Sequence, residues 1–310
     1  MYSTSTQKKN WTFSSKEELV QKKKIASEEY YKNYLGELTE SEKDELIFTV
    51  DEQTKYATII GDFCLDFSDN FLPKFWPTVP WTAFMYYRRF YLKHTIMEYP
   101  PKHILLASFY LATKVVEFNV SAEQFVQNCR SGDPDENIKI ILTNEPVIMQ
   151  GMDYNLTVHC PFSAFNGHLL DMEVKMMLNF DVESLRELGN AFFRKCLYTD
   201  VGLLYPPSQI SLAALKYAFI KKGQNEDIIR EYLNKLLKID SWNSEPASVL
   251  IFEKLLLRID EIINFVKGEY NSYSREGFKD LMEKMAKWNA RSQGLNVNSE
   301  SEDSEDTDDD

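Results

Sequence analysis

The triplet Tyr-Pro-Pro occurs twice in this chain, at residues 99–101 and again at 205–207, 106 positions further on. Each copy is followed by a long stretch with almost no polar face, KHILLASFYLATK after the first and SQISLAALKYAFIK after the second. In register, Ile104 matches Ile210, Leu106 matches Leu212, Ala107 matches Ala213 and Ala112 matches Ala218. Proline fixes φ and has no N–H to lose, so a Pro-Pro pair ends an extended segment and begins a helix in its first turn. A helix that is apolar all round persists in water only when other helices surround it. The repetition therefore calls for two helical units of about 100 residues, each built round one buried helix. The match extends upstream, where AFMYYRRFYL at 83–92 has a counterpart in AFFRKCLYTD at 191–200.

The rest of the chain reads as all-α, because strand-type alternation is nearly absent and most periodic stretches follow a spacing near 3.6. Ser15, with Glu18 at capping-box spacing, opens a helix whose Lys16, Glu17, Lys22, Lys23, Lys24, Glu28 and Glu29 mark an outward face. From Val50 to Phe71 one stripe holds Tyr56, Ile59, Ile60, Phe63, Cys64 and Phe67, and Asn70, Pro73 and Pro77 end it. Further helices are expected near 79–92, 101–117, 121–129 and 137–153. The aromatic run Phe84, Tyr86, Tyr87, Phe90 and Tyr91 is expected to pack against neighbouring helices rather than to form a ligand box. Arg88 and Arg89 suit either a solvated face or acids at the edge of a partner, and Trp11 and Phe13 either anchor the first helix or touch a partner.

Charge and motif content narrow the function. Residues 299–310, SESEDSEDTDDD, carry eight acids and no base, so the preceding 298 residues hold only −5 of the net −13. No basic field is available for a broad nucleic-acid contact, and none is expected. The tail is expected to be disordered and chiefly solubilising, although Ser299 and Thr307 would suit an acid-directed kinase. Cys64, Cys129, Cys160 and Cys196 stand singly, which argues for reduced thiols in an intracellular protein and against disulfides or a zinc module. The N-terminus lacks the apolar core of a signal peptide and no run of about 18 apolar residues occurs, so a soluble chain outside the secretory route is expected. There is no GxGxxG, Walker loop, kinase signature, GxSxG or HExxH, and the four histidines have no ligand spacing. A binding protein with no cofactor and no metal is expected rather than an enzyme.

One residue resists a packing explanation. Lys114 sits in the last turn of the first apolar helix, where the second copy has Ile220, so the fold does not require a lysine there. An intrahelical pair with Glu117 would be worth only about 0.2–0.5 kcal/mol, too little to place a charge on so apolar a helix. A partner for Lys114 is the better reading.

The stretches YYRRFYL, IMEYPP, LATKVVEFNVS and LLYPPSQISL resemble the cyclins, and the opening MYSTSTQKKNWTFSS is similar to the cyclin H group. The resemblance covers residues 1 to about 270 and is tightest in LATKVVEFNVS. It implies two tandem cyclin-box five-helix domains, at 48–160 and 161–270, flanked by N- and C-terminal helices. An N-terminal segment and helix would occupy 1–47, a C-terminal helix 271–292 and the acidic tail 293–310. It further implies a nuclear, non-catalytic subunit that binds and activates the cyclin-dependent kinase of the CDK-activating kinase, part of general transcription factor IIH, with an assembly factor as third subunit. In that family the lysine and a glutamate on the fifth helix reach the kinase helix that carries its catalytic glutamate, roles that fall here on Lys114 and Glu145. The apolar bed between them would be Leu111 and Val115 with Met149, Tyr154 and Leu156. Pro146 follows Glu145 directly and either removes a helical hydrogen bond or makes the helix begin anew. The competing readings are another transcriptional cyclin of the cyclin C type and an adaptor resembling transcription factor IIB, the latter lacking here its zinc ribbon and basic face.

Overall fold

The computed structural model describes residues 1–239 and 245–302, with side chains as far as 292. Among the described residues there are helices and turns and no strand. In chain order come α1 (Thr6–Asn10), α2 (Lys16–Tyr31), α3 (Glu40–Leu46), α4 (Val50–Asp69), α5 (Thr78–Phe90), α6 (Pro101–Val115), α7 (Ala122–Val126) and α8 (Pro134–Gly151). They continue with α9 (Phe162–Lys175), α10 (Leu185–Cys196), α11 (Val201–Leu204), α12 (Pro207–Lys221), α13 (Asp227–Leu237), α14 (Pro246–Ser272) and α15 (Phe278–Glu302). The part of the acidic tail beyond residue 302 lies outside the described residues.

These elements make two compact units, one of Ser15–Leu156 with the chain from Ser274 on, the other of Met1–Ser14 with Thr157–Tyr273. In the first, α6 is the central helix, with Ile104, Leu105, Ala107, Phe109 and Ala112 sealed from solvent. It packs against α4, α5 and α8, as an all-apolar helix must. Phe67, Phe71, Phe75, Phe109 and Phe125 interlock at one end of it, with ring centroids 3.8–6.4 Å apart. The stripe Phe84, Tyr86, Tyr87, Phe90 and Tyr91 of and just beyond α5 is buried throughout. Helix α2 lies outside α4, burying only Leu19, Ala26, Ser27 and Tyr31. Gln53 pins the pair together, its amide donating to Ser27 Oγ at 2.7 Å and accepting from Thr95 Oγ1 at 2.8 Å. The helix α15 closes this unit: Trp288, 1% exposed, sits among Tyr30, Tyr31 and Tyr34 at 5.1–6.0 Å.

The second unit repeats the plan round α12, which packs against α9, α10 and α14. Both α6 and α12 are 15 residues long, and both begin with proline in the first turn. Residues 1–14 belong to this unit: Gln7 Oε1 accepts the His159 amide at 2.6 Å, and the Phe13 amide donates to the Leu203 carbonyl at 2.8 Å. Trp11 is 3% exposed.

The ends of the central helices differ between the copies in a way that carries energy. Helix α12 stops at Gly223, φ 71°, with the Gln224 amide donating back to Phe219 O at 3.0 Å and the Gly223 amide to Ile220 O at 3.0 Å. This is the Schellman arrangement, and glycine suits its left-handed position. Helix α6 makes the same pair of bonds, Phe118 to Thr113 O at 2.8 Å and Glu117 to Lys114 O at 3.2 Å, but with Glu117 at φ 61°. Helix α8 repeats it with Asp153 at φ 49° and Tyr154 at φ 56°. Left-handed backbone costs a residue with a Cβ about 1–2 kcal/mol, so the end of α6 stores strain where that of α12 uses glycine, and the end of α8 stores more; in the second unit the end of α13 does the same at Lys238, φ 54°.

Two stability changes follow from this packing. A Cβ on Gly189 of α10 would overlap the ring of Phe165, itself 1% exposed. Overpacking costs about 1–3 kcal/mol and the helix propensity of alanine returns only about 1, so Gly189→Ala should lower the urea midpoint, and an unchanged midpoint would contradict the close approach. Glu117→Gly should move the midpoint the other way, by about 0.5–1 kcal/mol after the entropy of glycine is deducted from the relieved strain.

Candidate functional site

Helices α6 and α8 lie against each other, and their packing brings Lys114 to Glu145. The ammonium donates to both carboxylate oxygens, at 2.7 and 2.8 Å, and lies 4.5 Å from the centroid of the Tyr110 ring. The Lys114 side chain is 45% exposed and that of Glu145 14%, so the pair sits at the lip of the core and not within it. Glu117, the intrahelical alternative, is beyond the helix end in left-handed backbone. The lysine on an apolar helix therefore has both the partner and the exit to water that such a charge needs.

Glu145 keeps its direction because α8 does not break at Pro146. The helix is continuous from Pro134 to Gly151 with Pro146 inside it. Proline denies the Leu142 carbonyl its donor, but Leu142 is 46% exposed, so that carbonyl lies on the wet side of the helix. A restart at residue 146, one of the two outcomes the sequence allowed, does not occur.

The remaining residues of the expected face divide. Val115 is 38% exposed and Tyr154 67%, while Met149 and Leu156 are half-buried. Met149 lies one turn beyond Glu145 on the same face of α8, and its carbonyl accepts the Tyr154 amide at 2.8 Å. Leu111 is 3% exposed and belongs to the core beneath the face, supporting it from below. Sequence reasoning missed Tyr110, whose ring underlies the lysine, and read Arg89 as a surface or partner-edge residue. Arg89 is fully buried. Only an i, i+4 count from Lys114 back to Tyr110 could have signalled the first.

Other clusters account for themselves. A cleft of about 250 Å³ in the second unit is lined by Lys216, Glu226, Arg230, Glu253 and Asp260. Lys216 bonds Asp260 at 2.6 Å and Glu226 at 3.2 Å, and Arg230 bonds Glu253, so the charges there are matched among themselves. Among the described residues no group of three or more His, Cys, Asp or Glu is arranged to hold a metal, and no helix is long and apolar enough to cross a membrane. The four cysteines are free thiols, and burial pushes the Cys64 thiol up to about 12.

Comparison with known proteins fits this architecture. The family described as Cyclin C-terminal domain matches residues 160–267. A cyclin-H of Xenopus laevis is 34% identical over 257 residues, covering 81% of this chain and 77% of that protein. Among solved structures, a chain of the CAK complex from Chaetomium thermophilum bound to ATP-gamma-S superposes with a TM-score of 0.76 at 20% identity, over 100% of this chain and 97% of that one. A chain of the yeast TFIIK complex superposes with a TM-score of 0.61 at 24% identity, over 86% of this chain and 100% of that one. The two helical units, each built round a buried central helix, and the extent of the identity agree: the chain belongs to the cyclin family, in its cyclin H group.

Proposed function

We propose that this chain is the regulatory subunit of a CDK-activating kinase, with cyclin boxes at 48–160 and 161–270, and that it acts in the nucleus as part of transcription factor IIH beside a third, assembly subunit. The observation that carries the reading is the Lys114–Glu145 pair, held at 2.7 Å at the rim of the only central helix whose counterpart has an aliphatic residue there. The relatives named CAK and TFIIK support the assembly assigned to it.

The mechanism is positional. Lys114 and Glu145 offer a donor and an acceptor to the backbone of the kinase helix that bears the catalytic glutamate, and Val115, Met149, Tyr154 and Leu156 offer it an apolar bed. A helix seated on that bed is biased toward the state in which its glutamate pairs with the kinase's strand lysine, the arrangement phosphoryl transfer requires. The cyclin contributes no group to the chemistry. In the free chain the two charged side chains satisfy each other, so neither waits unpaired for the partner.

Lys114→Ala should weaken the complex with the purified kinase subunit by about 2–5 kcal/mol, as expected for a charge desolvated across an interface. The same change should alter the stability of the free chain by about 1 kcal/mol or less, since the pair is partly exposed there. An unchanged dissociation constant removes Lys114 from the interface. Function itself is tested by mixing the chain with the kinase of the CDK-activating kinase, and separately with the kinase that pairs with cyclin C, and following phosphorylation of an RNA polymerase II tail peptide. Activation of the first alone is expected. Activation of neither by folded protein would overturn the reading.

A further inference from the structure

The turn after α8 is gripped from beneath by α5. Tyr86, Arg89 and Lys93 stand at i, i+3 and i+7, one face of that helix and its C-terminal extension, and each holds a different residue of the turn. The Tyr86 hydroxyl donates to the Leu156 carbonyl at 2.6 Å, an Arg89 guanidinium nitrogen donates to the Asn155 carbonyl at 2.9 Å, and the Lys93 ammonium bonds Asp153 Oδ2 at 2.6 Å. Residues 153, 155 and 156 are thus tied down, and Tyr154, the one between them, is left 67% exposed. Its backbone and that of Asp153 are both left-handed. Two adjacent residues with Cβ atoms keep such backbone only where their surroundings over-determine it.

Arg89 is the unexpected member. It is fully buried, and a guanidinium is an expensive way to fill apolar space unless the group it binds must be held in place. The approach is also tight: a Cβ on Gly151, the last residue of α8, would come within 3.0 Å of the Phe90 ring. The end of α8 is therefore fitted to α5 at its last residue and bonded to it at three of the next five.

Resting on the partner-binding reading above, we propose that Arg89, Tyr86 and Lys93 are positioning residues for that face. They hold the 153–156 turn in its strained form, so that Tyr154 is presented as a rigid aromatic contact to the kinase beside Lys114 and Glu145. None of the three touches the kinase. They act through the turn, and an aromatic ring fixed before binding loses little freedom on binding.

The test uses Lys93, which is exposed enough to be changed without threatening the fold, in a double-mutant cycle with Tyr154. Affinity for the purified kinase subunit is measured for the full chain, Lys93→Met, Tyr154→Ala and the double variant, together with amide exchange at residues 153–156. Lys93→Met should weaken binding about threefold to tenfold and speed exchange in the turn, yet add almost nothing once Tyr154 is gone, as coupled neighbours do. Asp153→Asn, which removes the other half of the ion pair, should reproduce both effects. Equal weakening by Lys93→Met in both backgrounds, or none in either, would overturn the positioning role. If Tyr154→Ala is silent while Lys114→Ala is not, the interface stands and the positioning role falls. If both are silent, the reading of the face falls with it. Arg89→Lys, which keeps the charge but not the planar fork, should match Lys93→Met provided its circular dichroism is native.

Discussion

A helix with apolar side chains on every face has no stable place at a surface, and this chain contains two of them. Burying α6 requires helices on all its sides, and α4, α5 and α8 supply them; α12 makes the same demand of α9, α10 and α14. The other features of each unit follow from that enclosure. The proline pairs at 100–101 and 206–207 set where each central helix begins. Helix α6 is enclosed from Ile104 to Thr113, and only its two end turns reach solvent. Charges placed on it are confined to those ends, Lys102 at the start and Lys114 in the last turn.

The two repeats show what the first does beyond folding. Their central helices have the same length and the same start, and they end with the same pair of reverse hydrogen bonds. Where the second unit finishes with Ile220 and Gly223, the relaxed choices for a packed helix and a left-handed cap, the first has Lys114 and Glu117. The strain recurs at the end of α8, in Asp153 and Tyr154. Three of the four left-handed residues with a Cβ among the described residues, Glu117, Asp153 and Tyr154, lie at the ends of α6 and α8; the fourth, Lys238, ends α13 in the second unit.

Much of this was legible in the residues. The all-α class, the duplication, the positions of the helices to within a few residues and the singularity of Lys114 each rest on local pattern: apolar spacing, proline placement and register. The bland alternatives were harder. Whether Pro146 interrupts α8 depends on whether the carbonyl it strips of a donor faces water, and that depends on which side of α8 packs on α6. Arg89 looked like half of a surface Arg-Arg pair because α5 rotates only one of the two outward, and the rotation is fixed by neighbours that lie far along the chain. Residues 1–14 could not be assigned either, since their partners, His159 and Leu203, are remote in sequence.

By itself the sequence determined that two buried helices must exist and that one of them carries a charge the fold does not need, because periodicity and proline chemistry act within a few residues of where they are written. Only the tertiary structure decided that Lys114 meets Glu145 rather than Glu117, that Leu111 lies under the face and Tyr154 upon it, and that a buried arginine holds the turn between them. Those outcomes depend on the angle and register at which α5, α6 and α8 pack, which are set by all the side chains of the unit together and by no local stretch of it.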